Sequence, residues 1–160
     1  MSQARANAGN GKATGAALEA ALKLLDRRDM SVGQLVQRLK DRGFPAGEAL
    51  EAAARLEELA IVDNKRIAAG VVDFGRSRGW ARAKIEAELR KLKLATQVDD
   101  EVADSHLASE TAKKWSLKHQ NLPYEQAFRR LGGFLARRGY DFETAHEACL
   151  QALGEPPGSD

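Results

Sequence analysis

The chain has 160 residues, 43% of them hydrophobic and 30% charged, with a formal net charge of +2. That balance excludes a disordered polyelectrolyte and suits a soluble protein of one domain or a short array of small units. The apolar runs are too short to span a bilayer, and the single cysteine, Cys149, excludes an internal disulfide. The leader "MSQARANAGNGKATG" lacks the apolar core of a secretory signal and reads, like the tail "GEPPGSD", as a polar flanking segment. A reducing, cytoplasmic setting is the expectation.

Between the flanks nearly every segment has helical periodicity. Leu18, Leu22 and Leu25 mark a first helix over about residues 16–28. Ser31 and Gln34 form a capping-box pair that opens a second, carrying Val32, Leu35, Val36 and Leu39, and Gly43 ends it. Pro45 begins a third, with Ala49, Ala53, Leu56 and Ala60 on its buried side. Asp63 caps a fourth with Ile67, Val71 and Phe74, closed by Gly75; Ala81, Ile85, Leu89 and Leu92 mark a fifth. Thr96 and Asp99, with Val98 and Val102, suggest a sixth, and a seventh is expected near residues 108–117. An eighth carries Tyr124, Ala127, Phe128, Leu131 and Leu135, and a ninth Ala145, Ala148, Cys149 and Ala152. No segment alternates with period two, so the predicted class is all-α.

Three stretches superpose without gaps: "LVQRLKDRGF", "IEAELRKLKL" and "LGGFLARRGY". Leu35, Ile85 and Leu131 fall together, as do Leu39, Leu89 and Leu135, then Phe44, Leu94 and Tyr140. The spacing predicts three tandem three-helix repeats at residues 16–62, 63–108 and 109–153, between a leader (1–15) and a tail (154–160). Charge follows the same period. In each copy a basic middle segment (31–44, 76–93, 124–140) precedes an acidic third one (45–60, 95–110, 141–155). Stacked units of this kind form an elongated array with one positive and one negative stripe.

Residues 76–93 concentrate seven Lys/Arg against two Glu. Arg76, Arg78, Arg82, Lys84, Arg90, Lys91 and Lys93 are the first candidate contacts, and Arg129, Arg130, Arg137 and Arg138 the second set. Lys113, Lys114, Lys118 and His119 extend the positive character. Such residues can neutralise phosphates, dock an acidic protein groove, or form a solvated face steadied by an i,i+4 pair such as Glu86–Arg90. Trp80 can stack on a base or pack under the preceding loop. Gly132 and Gly133 inside the eighth helix suggest close approach or a kink.

Catalysis finds no motif: the chain lacks a phosphate-binding Gly-Lys-Ser/Thr loop, Gly-x-Ser-x-Gly and His-Glu-x-x-His. His146 and Cys149 share a helix face, but no second Cys/His pair completes a zinc site. No catalytic residue, metal or cofactor is expected.

The segments "ALKLLDRRDMSVGQLVQRLKDRGF" and "LEELAIVDNKRIAAGVVDFGRSRGWARAKIEAELRKLKL" resemble the RecX family, regulators of the bacterial recombinase RecA. Arg27, Arg28, Ser31, Leu35, Leu39, Gly43 and Phe44 carry the likeness, followed by Leu59, Asp63, Arg66, Ala68, Arg76, Gly79, Ile85 and Leu89. "FLARRGYDF" matches the family's Leu-x-x-Arg-Gly-aromatic pattern, and the whole likeness spans about residues 17–153. Two departures stand out: Lys93 replaces a usual Gly, and Gly132 and Gly133 interrupt a helix that the family fills with better formers.

The resemblance implies an elongated, curved array of three-helix repeats. It implies a monomer that binds RecA and the groove of the RecA–DNA filament, suppressing ATP hydrolysis and strand exchange in recombinational repair and the SOS response. Weak direct DNA binding is a property of some members. The alternative is a DNA-binding module of helix-turn-helix-like units, which the mild net charge and the acidic helices disfavour.

Overall fold

The computed structural model describes residues 15–96, 98 and 103–158, and all regular structure among them is helical. The elements are α1 (residues 15–25), α2 (Val32–Asp41), α3 (Ala46–Glu58), α4 (Asn64–Ser77), α5 (Arg82–Lys91), α6 (Asp104–Lys118), α7 (Tyr124–Ala136) and α8 (Phe142–Leu153). Two compact units are formed. Unit 1 comprises the described residues through Gly70 with Leu89–Ala95; unit 2 comprises Val71–Glu88 with the described residues from Thr96 onward.

In unit 1, α1 contributes Ala17, Ala21 and Leu24, α2 Leu35 and Leu39, and α3 Ala49, Ala52, Ala53 and Leu56 to one core. The alanines let helices approach closely, while Leu35 and Leu39, both fully buried, each contribute about 2 kcal/mol of apolar transfer. Ser31, also fully buried, opens α2 as its spacing requires. Its Oγ accepts the Gln34 N–H at 3.1 Å, and Gln34 Oε1 accepts the Ser31 N–H at 3.2 Å. The same hydroxyl donates to the Leu92 carbonyl, so a single small side chain ties the start of α2 to the segment after α5. Asn64 Oδ1 takes the next free donor, the Val32 N–H, at 3.0 Å.

In unit 2, α6 lays Ala108, Ala112 and Trp115 against Ala127, Leu131 and Leu135 of α7 and Ala145, Ala148 and Cys149 of α8. Asp141 caps α8 by accepting the Thr144 N–H at 2.8 Å, and these bonds hold its carboxyl below the usual range.

Three helix ends share one local geometry. After α2, α5 and α7 the chain turns through a positive φ at Gly43 (91°), Lys93 (55°) and Gly139 (90°). The next N–H then reaches back to the last buried leucine: Phe44 to Leu39, Leu94 to Leu89, and Tyr140 to Leu135. This is the left-handed cap that glycine adopts without steric cost. Lys93 pays that cost, as does Ala60 (φ 55°) after α3. Replacing either with glycine relieves about 1–2 kcal/mol of left-handed strain against a smaller gain in unfolded-chain freedom. Lys93→Gly and Ala60→Gly are each expected to raise stability by about 0.5–1 kcal/mol, measured by urea unfolding.

Several sequence expectations are corrected. Gly75 does not close α4, which continues to Ser77. Gly75 is buried inside the helix, where a Cβ would come within 2.7 Å of Ile85 and 3.0 Å of Trp80. Gly132 and Gly133 mark no close approach: a Cβ at the first meets nothing within 4 Å, and at the second only the Arg137 guanidinium at 3.4 Å. The expected seventh helix, α6 here, begins four residues early at Asp104. Of the expected sixth helix, Asp99 and Val102 lie outside the described residues, while Thr96 and Val98 are not helical.

A cationic groove in unit 2 as candidate functional site

The site begins with α6. Leu107, Thr111, Lys114 and Lys118 recur at i, i+4, i+7 and i+11 and therefore share one helix face with Glu110 and Trp115. That face forms one wall of a concavity of about 540 Å³. The end of α4 and its turn supply Arg76, Arg78 and Gly79; α7 and the turn after it supply Phe134 and Arg138.

Two turns are clamped together to set this wall. The Arg138 Nε–H donates to the Arg78 carbonyl at 2.9 Å, Tyr140 Oη donates to the Gly79 carbonyl at 3.0 Å, and the Ala81 N–H donates to the Arg138 carbonyl at 2.9 Å. The clamp needs glycine at position 79. Its φ is 66°, and a Cβ there would stand 2.5 Å from Thr111 Oγ1.

Aromatic rings floor the groove. Trp115 and His119 stack with centroids 4.0 Å apart and planes 14° from parallel, and His119 Nδ1–H donates to the Trp115 carbonyl at 2.8 Å. The Arg138 guanidinium lies 3.5 Å above the Phe134 ring. Burial pulls the Arg138 pKa below its usual value, with Arg137 and Arg78 adding to the effect, and it remains charged at any physiological pH. Burial likewise raises the Tyr140 pKa.

A second hollow of about 410 Å³ adjoins the first. Both share Trp115, His119 and Phe134, and the second adds Arg129, Arg130, Gly133 and Arg137. Together the hollows are lined by eight Lys/Arg and by one carboxylate, Glu110, which pairs with Lys113 at 3.6 Å. Like charges gathered around aromatic rings give the groove a positive local potential.

Six of the eleven basic residues singled out in the sequence meet here: Arg76, Arg78, Arg129, Arg130, Arg137 and Arg138. Arg82 and Lys84 serve the fold of unit 2 instead. Arg82 Nε pairs with Glu86 at 2.9 Å, so Glu86 reaches back to Arg82, where its expected partner was Arg90. Lys84 Nζ donates to the Arg137 carbonyl at 2.6 Å and lies 4.7 Å over the Trp80 ring. Trp80 packs: its ring meets Phe74 edge-on at 5.4 Å. Arg90, Lys91 and Lys93 belong to unit 1 and do not line the groove. Lys114, Lys118 and Trp115 join it from α6, His119 from the residue after α6, and Phe134 from α7. Their signal in the sequence was the i, i+4 spacing of the two lysines.

Other chemistry has little to build on. Cys149 is buried and its thiol is pushed up to about 11, while His146 packs edge-on to Phe128 at 5.4 Å. Among the described residues no group of three or more His, Cys, Asp or Glu side chains is placed to hold a metal ion, and no helix is long and apolar enough to cross a membrane.

Comparison with known proteins places this architecture. Residues 17–56 match the RecX first three-helix domain. A regulatory protein RecX from Chlorobaculum tepidum is 32% identical over 146 residues, covering 87% of this chain and 89% of that protein. One from Chromohalobacter salexigens is 34% identical, covering 82% and 90%. The crystal structure of RecX from Lactobacillus salivarius aligns with a TM-score of 0.66 over 89% of this chain and 97% of that one; at 13% identity the likeness is one of fold. With these relatives and this all-helical fold, the chain belongs to the RecX family of regulatory proteins.

Proposed function

We propose that the chain is a negative modulator of the RecA recombinase, acting without catalysis. It binds RecA and the groove of the RecA–DNA filament and suppresses ATP hydrolysis and strand exchange. The observation that carries this reading is the convergence of eight cations on the Trp115–His119 stack and Phe134, with one carboxylate among them. A surface of that kind takes phosphates or acidic side chains, and a nucleoprotein groove offers both. Arg76, Arg78, Lys114, Lys118, Arg129, Arg130, Arg137 and Arg138 are the proposed contacts. Arg90, Lys91 and Lys93 form a second proposed set in unit 1. Three repeats, at 16–62, 63–108 and 109–153, belong to the same reading; the matching turns at Gly43, Lys93 and Gly139 support them.

A monomer acting in the cytoplasm and needing no cofactor completes the proposal. Co-sedimentation with RecA filaments on single-stranded DNA tests it, with naked DNA as the comparison. Retention by the filament well above retention by naked DNA is the expected result. Equal, steeply salt-dependent retention by both would favour an independent DNA-binding module.

A further inference from the structure

Unit 2 carries a second surface of opposite character. Phe142, at the start of α8, is 84% exposed, the most exposed large apolar side chain among the described residues. Its ring lies 5.7 Å from that of His146, His146 lies 5.4 Å from Phe128, and Phe128 lies 5.8 Å from Tyr124. Tyr124 is fixed at the far end of this ladder by donating its hydroxyl to the Gly154 carbonyl at 3.0 Å. It also lines a hollow of about 340 Å³ with Leu117, Leu122, Ala152 and Leu153, and Leu117 is itself 68% exposed. The hollow, which Ser116, His119 and Gln120 also line, therefore runs on into an aromatic ladder. Residues 140–158 hold Asp141, Glu143, Glu147 and Glu155 and no Lys or Arg. Glu125 adds another carboxylate beside Tyr124 in the first turn of α7.

We infer that this face docks a basic amphipathic segment of a protein partner. An apolar side chain of the segment enters the Leu117–Leu122–Leu153 hollow. Its Lys or Arg side chains lie across the ladder and meet Glu125, Glu143 and Glu155. The carboxylates select cations, the rings bind them from the face, and the hollow supplies the apolar anchor that a salt-screened pair lacks. This surface adjoins the cationic groove at His119, which lines both, and the inference holds whether or not the groove binds RecA filaments.

The test uses the full chain, isotope-labelled for NMR, and a helical peptide of about 18 residues with leucine on one face and lysine on the other. The expected result is saturable binding with shifts concentrated at Leu117, Tyr124, Phe128, Phe142 and His146. Affinity should fall at least tenfold in Phe142→Ala and again in Glu143→Lys, and a peptide with glutamate in place of lysine should not bind. Because Phe142 is so exposed, its truncation leaves the fold intact, which the spectrum itself reports. The inference is overturned if binding does not saturate, or if Glu48, Glu51, Glu57 and Glu58 of α3 shift as strongly. It is equally overturned if sedimentation shows that the face pairs two copies of the chain.

Discussion

Reversing three charges in the groove, Lys114→Glu, Lys118→Glu and Arg130→Glu together, is expected to weaken filament binding about 10- to 100-fold while leaving helicity and melting unchanged. The three are chosen because none holds the fold: all are exposed, on α6 and α7, and they line both hollows. Arg138 would be a poor choice, since its Nε–H bond to Arg78 and its stacking on Phe134 make it part of the wall. The salt dependence of binding should also become shallower, because fewer cations remain to release counterions from phosphate or carboxylate. A control reversal at Arg82 and Lys84 should behave differently. These residues grip Glu86 and the Arg137 carbonyl, so their loss should appear first in melting. Filament binding unchanged in the triple variant would remove the groove from the interaction.

The second large effect is expected at Gly79. Gly79→Ala places a side chain at φ 66° and drives its Cβ to 2.5 Å from Thr111 Oγ1. Left-handed strain and overpacking together cost about 3 kcal/mol. Adding Thr111→Ala removes the clash but not the strain, so the double variant should recover about 1–2 kcal/mol against its own Thr111→Ala reference. The same substitution disturbs the clamp between the 78–81 and 138–140 turns, and filament binding should weaken along with stability. Urea unfolding of the four proteins in the cycle measures the coupling; additive effects would show that Gly79 and Thr111 do not meet.

Much of the fold was legible because it is local. Ser31 and Gln34 announce the start of α2 by their spacing, and Leu35 and Leu39 announce its buried face. Gly43 and the Gly139 turn mark the ends that the threefold match places in register. Gly75 misled for a physical reason. A glycine inside a helical pattern resembles a stop, whereas here it makes room for Ile85 and Trp80. The groove was only half legible. Arg78 lies 60 residues from Arg138, whose guanidinium bonds its carbonyl, and only this tertiary clamp brings the two turns together. Charge density alone does not show that Arg82 pairs with the Glu86 carboxylate or that Lys84 bonds the Arg137 carbonyl. Nor does it place Lys114 and Lys118 beside Arg76 and Arg138, since they sit in the helix after an acidic segment and outside the matched basic stretches.

The most direct test of the account is titration of the chain into RecA hydrolysing ATP on single-stranded DNA. The account predicts a saturating loss of hydrolysis at or below stoichiometric amounts, with the Lys114/Lys118/Arg130 reversal requiring about ten times more protein or better. Hydrolysis that stays unchanged through stoichiometric addition of the folded chain would contradict it.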